Sequence, residues 1–189
     1  VKKYNQCAGL GLFLALAINL LIPPGILAQN NQDSGYDRDT LITVAKKIMA
    51  GAQSCALITL DESGYPQVRT MDPFPPEADL VVWLGTKSTS RKVKEIRNDS
   101  RAALYYAARN GAGYVVLKGH AYLINDAKKK AKYWKEAWAG FYTDKNSEYI
   151  LIKLIPDRLE ILDYKHNIIG DLKTWDVPWV EFKSGQSRQ

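Results

Sequence analysis

The chain has 189 residues, enough for one domain with a sizeable core and too few for two of ordinary size. Hydrophobic residues make up 46% and charged residues 24%, a balance that excludes a disordered or fibrous class. The net charge of +6 is spread along the chain without a nucleic-acid-binding motif, so nucleic acid is not an expected partner.

Residues 1–29 differ from the rest. Lys2 and Lys3 precede an apolar run from Ala8 to Ile22, which Pro23, Pro24 and Gly25 break before Ala28. A basic start, a short apolar core and a small residue near the end describe a secretory signal peptide, with cleavage expected after Ala28 or Gln29. The run is short of the ~20 apolar residues of a membrane span, so the expectation is an exported, periplasmic or secreted chain with no stable anchor after cleavage. The mature part, 30–189, then holds one cysteine, Cys55, in the apolar stretch 54–58. No intrachain disulfide can form there, and a small buried hydrophobe is expected. His120 and His166 are the only histidines, and no Cys/His spacing suits a metal.

Residues 30–36 read as a polar lead-in. From 37 to 51 the spacing of Leu41, Ile42, Ala45, Ile48 and Met49 predicts a helix that Gly51 stops. Strands are expected over 53–60 and 67–71, joined as a hairpin through the turn-forming residues 61–66. Pro73, Pro75 and Pro76 then stiffen the loop 72–77. The apolar run 80–84 reads as a buried strand that Gly85 punctuates, and a Thr/Ser turn opens a helix through Val93, Ile96 and Arg97. Strands at 101–108 and 114–124 flank a Gly-rich turn. Asp126 is placed to cap a helix with Ala127, Ala131, Trp134 and Trp138 inward and Lys128, Lys129, Lys130 and Lys132 in solvent. The stretches 148–155 and 158–164 read as a last hairpin across Pro156 and Asp157, closing a core of about 37–164. The tail, 165–189, carries Trp175, Pro178, Trp179 and Phe182 and is too apolar to be a free end. About seven short strands with interspersed helices predict a mainly β protein, an antiparallel barrel with helices outside it, because closure removes exposed strand edges.

The chemistry concentrates in the stretch 83–92. The first turn of a helix presents unpaired N–H groups and the positive end of its dipole. Ser90 adds a hydroxyl there, and Arg91 and Lys92 add charges at the end of a helix where cations are normally avoided. That set suits a phosphate or another compact anion. Arg69, a strand cation, could converge on the same anion, or form a surface salt bridge.

The chain resembles the split-barrel flavoproteins related to pyridoxamine 5′-phosphate oxidase, in their general stress protein branch. The resemblance rests on Gly-Tyr-Pro-Gln-Val-Arg-Thr-Met (64–71), on Trp-Leu-Gly-Thr followed by Ser-Arg-Lys (83–92), on Asn-Asp-Ser-Arg-Ala-Ala-Leu (98–104), on Gly-His-Ala (119–121) and on the tryptophans after Asp126. It implies a split β-barrel homodimer with FMN in a groove between protomers. Arg69, Ser90, Arg91 and Lys92 would take the FMN phosphate. Thr70 and Met71 would lie along the flavin and ribityl chain, and Thr86 would touch the cofactor. Tyr114 falls where the oxidase has a flavin-contacting glutamine, and Trp175 or Trp179 would reach the partner's flavin or close the barrel's end. Two departures count against oxidation of pyridoxamine phosphate. Phe74 replaces a lysine of the oxidase, and the tail lacks its arginine–histidine element. The resemblance therefore implies an exported FMN-binding oxidoreductase of unknown substrate, with Tyr105, Tyr106 and His120 as the candidate acid/base groups. The alternatives are a non-enzymatic binder of haem, a deazaflavin or another anionic cofactor, with His166 as the loop ligand, or an interaction module.

Overall fold

The computed structural model describes residues 35–109 and 111–182, and the expected signal peptide lies outside them. Helix α1 (Arg38–Gly51) starts where the Asp37 carboxylate accepts a 2.9 Å hydrogen bond from the Thr40 N–H. It buries Leu41, Val44, Ala45, Ile48 and Met49, with Ile42 half-buried beside them. Strands β1 (Cys55–Leu60) and β2 (Pro66–Met71) form the expected hairpin. The Asp61 carboxylate holds its turn, accepting from the Ser63 and Tyr65 N–H groups at 2.9 and 3.0 Å. Next come β3 (Val82–Lys87), α2 (Arg91–Asn98), β4 (Arg101–Ala107) and β5 (Gly113–Ile124). After β5 follow α3 (Ala127–Lys132), a 3-10 helix (Glu136–Phe141), α4 (Lys145–Glu148), β6 (Tyr149–Asp163), a 3-10 turn (Tyr164–His166) and β7 (Trp179–Glu181).

The strands pair antiparallel in the order β2-β1-β4-β5-β6-β3, and β7 adds to β6. The sheet curls until the chain leaving β2 meets β3, where Pro73 bridges Leu84 and the Phe74 N–H donates to the Trp83 carbonyl at 3.0 Å. This is the expected split barrel with helices outside it. Leu57, Leu84, Leu104, Leu117, Ile152 and Ile161 fill its interior. Cys55 is buried there as expected, and burial pushes its thiol up to about 12. Tyr106 lies beside it, buried in the same core, so it reaches no solvent-facing site.

Three sequence expectations are corrected. The final hairpin is one continuous strand, β6. Asp157 is an extra residue between the pairs Lys118–Arg158 and Gly119–Pro156, a β-bulge that bends the strand instead of reversing it. Along the other edge of β6, β3 pairs with residues 149–154 and β7 with residues 158–160. Pro156 sits between the two, where no ladder needs its missing N–H. Second, the helix after Asp126 ends at Lys132, with Ala127 and Ala131 exposed and Lys130 and Tyr133 buried. The Lys130 ammonium donates to Asn125 Oδ1 at 3.0 Å and to the Asn146 carbonyl at 2.6 Å, so this lysine ties α3 to α4 and is not on a solvated face. Third, Gly85 does not end its strand, which continues to Lys87.

The run at 80–84 is apolar throughout because both faces of β3 are covered. Val82 and Leu84 face the barrel, while Val81 and Trp83 join a second cluster with Tyr133, Tyr149 and Leu151. The ring of Trp83 stacks on Tyr133 at 4.5 Å between centroids, and Phe74, Trp134, Trp138 and Tyr142 pack around them. Gly85 makes room for this layer. A Cβ there would stand 2.5 Å from Trp138 Cζ3 and 2.6 Å from Tyr149 Cε2. The tail docks as expected through β7 and Phe182, whereas Trp175 is 80% exposed. Gly85→Ala is expected to lower stability by about 1–3 kcal/mol, the usual cost of overpacking, read as a lower urea midpoint. An unchanged midpoint would show that Trp138 and Tyr149 are not held against the strand.

Candidate functional site

The bridge between Pro73 and Leu84 draws the ends of β2 and β3 together, and a cleft of about 380 Å³ opens beside them. Its size suits a small molecule. One side carries Thr70, Met71 and Asp72 from the end of β2 and Gly85, Thr86 and Lys87 from the end of β3. Ser90 and Lys92 come from the start of α2, and Trp138, Phe141 and Tyr142 close the far side. Five of the residues expected from sequence, Thr70, Met71, Thr86, Ser90 and Lys92, therefore meet at one cavity.

The geometry at α2 is specific. Ser90 occupies the N-cap position, yet its side chain caps no backbone N–H. Its hydroxyl lies 3.1 Å from Thr86 Oγ1, which also accepts from the Lys92 ammonium at 3.1 Å. Lys92 forms no ion pair among the described residues. Its pKa is held below the ordinary lysine value, first by burial and then by the neighbouring charge of Arg69. The other charged groups of the cleft are matched. Lys87 lies 3.4 Å from Glu148, and Asp72 accepts from the Lys135 ammonium at 2.5 Å and from the Trp138 indole N–H at 3.0 Å.

Arg69 and Arg91 do not line the cleft. Both turn to Glu95, which is 4% exposed on the inner face of α2. Arg69 Nη2 donates to Glu95 Oε2 at 2.6 Å, and the buried Thr59 hydroxyl joins the same group, donating to Glu95 and accepting from Arg69. Arg91 Nε stands 3.0 Å from Glu95 Oε1 as an ion pair without the alignment of a hydrogen bond. The salt bridge left open for Arg69 is thus present, with Glu95 buried and Arg69 half-buried. Arg69 and Arg91 share one carboxylate, and Lys92 adds a further positive charge near the start of α2.

The remaining candidates lie elsewhere. Tyr114 stacks on Tyr105, 5.6 Å between centroids, on neighbouring strands β4 and β5. Trp175 stands with φ 63° in an exposed loop where the Asp171 carboxylate accepts from the Lys173 and Thr174 N–H groups. His166 pairs with the buried Asp163 and is not among the residues lining the cleft. His120 accepts or donates at Ser100 Oγ, 2.8 Å away, and borders a second cavity of about 390 Å³ with Ile58, Leu60 and Ala103. There Arg101 pairs with Asp99 and Lys118 with Glu160, and His120 Nε2 lies 3.4 Å from Asp157 Oδ2.

Reasoning from sequence missed Asp72, Lys87, Trp138, Phe141 and Tyr142. Asp72 and Lys87 directly adjoin expected residues. Phe141 and Tyr142 left a weaker signal, since Phe141 ends the 3-10 helix and Tyr142 is extended at its C-cap, so no helical spacing links them.

A family model, described as pyridoxamine 5′-phosphate oxidase like, matches residues 40–172. Among curated proteins there is no match. General stress protein 26 from Bacillus anthracis str. Sterne shares the fold with a TM-score of 0.60 at 21% identity, covering 75% of this chain and 98% of that one. A Clostridium acetobutylicum protein related to general stress protein 26 superposes with a TM-score of 0.60 at 18% identity, covering 68% of this chain and 92% of its own. A heme binding protein from Mycobacterium smegmatis has a TM-score of 0.54 at 19% identity, covering 67% of this chain and 55% of its own. Removing one partner of a buried ion pair costs about 3–5 kcal/mol. Glu95→Ala is expected to lose that much in chemical denaturation, and a loss under 1 kcal/mol would show that the pair does not hold α2 in place.

Proposed function

The chain belongs to the pyridoxamine 5′-phosphate oxidase-like family, and on that premise we propose that its cleft binds FMN and that the protein is a flavin-dependent oxidoreductase of a small molecule. The observation that carries this reading is Lys92, a partly buried cation without an ion pair among the described residues, beside a serine hydroxyl that is not used as a helix cap. A phosphate monoester carries about −1.5 to −2 charges at neutral pH, which complements the excess positive charge at this helix end. Lys92 and Ser90 would hold the phosphate directly, with Arg91 and Arg69 adding positive charge nearby. Thr70 and Met71 lie along the cofactor from the β2 side, and Thr86 orients both Ser90 and Lys92. FMN, when bound, supplies the redox chemistry, and the protein supplies orientation and electrostatics.

Oxidation of pyridoxamine phosphate is not part of this proposal. Phe74, in place of the oxidase's lysine, spends its ring on Tyr133 and Trp138 at 5.1 and 5.5 Å and offers no charge to a substrate phosphate. Haem is the weaker reading, because the cleft lining contains no histidine.

A homodimer fits the outer face of the sheet. The register runs from Thr70 at the cleft through Ala56 and Tyr105 to Val116, and beside it from Val68 through Ile58 to Ala103. Val68 is 63% exposed and Tyr105 39% exposed on this mostly apolar face. Val68→Asp is expected to shift the protein from dimer to monomer in sedimentation velocity, and a wild-type monomer would remove the dimer from the proposal.

The direct test titrates the chain with FMN and follows the flavin spectrum. Micromolar or tighter binding is expected in wild type, with a loss of about tenfold or more in Lys92→Ala while the fold persists. Only protonated Lys92 attracts the phosphate, and its pKa is lowered. Affinity should therefore fall as pH rises, beginning below the ordinary lysine range, and Lys92→Arg should flatten that fall. A protein that ignores FMN, or a Lys92→Ala variant that binds it as wild type does, overturns the assignment.

A further inference from the structure

The cleft has two unlike ends. Lys92, Ser90 and Thr86 form a polar end, and Trp138, Phe141 and Tyr142 form an aromatic one. Two of these rings are already engaged. Trp138 packs edge-on against Phe74 at 5.5 Å and against Trp134 at 6.3 Å. Tyr142 packs against Tyr149 at 5.1 Å and Trp134 at 5.7 Å. Phe141 makes no ring contact among the described residues and is 73% exposed at the mouth of the cleft.

A lone exposed aromatic is ordinary on a protein surface. Phe141 differs from the more exposed Leu172 and Trp175 because it lines the same cavity as Lys92, which has no ion pair among the described residues. Its backbone is also held on both sides. Ahead of it, Asp72 takes the Lys135 ammonium and the Trp138 indole N–H, and Lys135 also donates to the Pro73 carbonyl at 3.0 Å. Behind it, the Thr143 N–H donates to Glu148 Oε2 at 2.9 Å and Asp144 caps α4. A ring carried on an anchored segment with its faces unused can stack at little cost in backbone ordering.

We propose that Phe141, backed by Trp138 and Tyr142, is the stacking platform of this cleft, so that the site selects phosphate monoesters bearing a planar conjugated ring over sugar phosphates. The proposal rests on the reading of Lys92 as the phosphate-binding end and adds the group that recognises the other end of the ligand. Selectivity then comes from one protomer's own residues. Lys92 recognises the anion that both classes share, and Phe141 recognises the ring that only one carries.

The test measures binding of FMN, pyridoxal 5′-phosphate and ribose 5-phosphate to the full chain, by direct titration or by competition, in wild type, Phe141→Ala, Phe141→Tyr and Lys92→Ala. Circular dichroism checks the fold of each. Phe141→Ala is expected to weaken FMN by about threefold to tenfold, the range of one aromatic pair, and to leave ribose 5-phosphate unchanged. Phe141→Tyr keeps a ring and should retain wild-type affinity. Lys92→Ala should weaken both ligands alike. Wild-type FMN affinity in Phe141→Ala overturns the platform while leaving the phosphate site standing, as does an equal loss for ribose 5-phosphate. If FMN fails to bind wild type but pyridoxal 5′-phosphate binds in a Phe141-dependent way, the flavin reading falls and the platform stands. If no ring-bearing phosphate binds wild type, both fall.

Discussion

The buried carboxylate of Glu95 fixes where the helix α2 sits. Desolvating a charge costs several kcal/mol unless it is paired and hydrogen-bonded, so Glu95 can stay inside only with Arg69 and Thr59 in place. Those partners come from β2 and β1, and the one carboxylate therefore joins two strands and a helix. Any tilt of α2 that would carry Ser90 and Lys92 away from the cleft also breaks this network. The same interaction sets the local charge. Glu95 neutralises one of three nearby cations, and the excess remains where Lys92 faces the cleft.

A second constraint shapes the other side. β3 is covered on both faces, by the barrel interior and by an aromatic layer built from the segment between β5 and β6. Trp138 reaches the strand only because Gly85 has no side chain, and Asp72 binds that layer to the exit of β2. The cleft is thus bounded by one wall that carries charge and one that carries rings. Neither wall belongs to a single element. The polar end depends on α2 being locked to β1 and β2, and the aromatic end depends on a 3-10 helix being locked to the loop after β2. Phe74 belongs to the same layer, its ring packed edge-on against Tyr133 and Trp138.

The sequence was most legible where the signal is local. The periodic apolar face of α1 and the turn chemistry at 61–66 each act within a few residues, and each produced the expected element. It was least legible where neighbours distant in sequence decide. Pro156 and Asp157 have the composition of a turn, yet β6 runs through them because β5 pairs continuously along one edge while β3 and β7 share the other. Lys130 sits in a lysine-rich stretch that reads as solvated, but a carbonyl sixteen residues away in sequence takes its ammonium inside.

By itself the sequence determined the strand-rich antiparallel class and the helix-start motif at Ser90, Arg91 and Lys92, whereas Thr70, Met71 and Thr86 at the ends of β2 and β3 were implied only by the family resemblance. Backbone propensity, apolar spacing and capping are properties of short segments, so they survive reading one residue after another. Only the tertiary structure decided how the cations divide their work. Arg69 and Arg91 turn to Glu95 while Lys92 faces the cleft, because a buried carboxylate takes the guanidinium groups within its reach. It also decided that Phe141 stands free at the cleft mouth while Trp138 and Tyr142 are built into the wall behind it. Which face of a ring is used depends on what packs against it, and that is set by chain closure across the whole barrel.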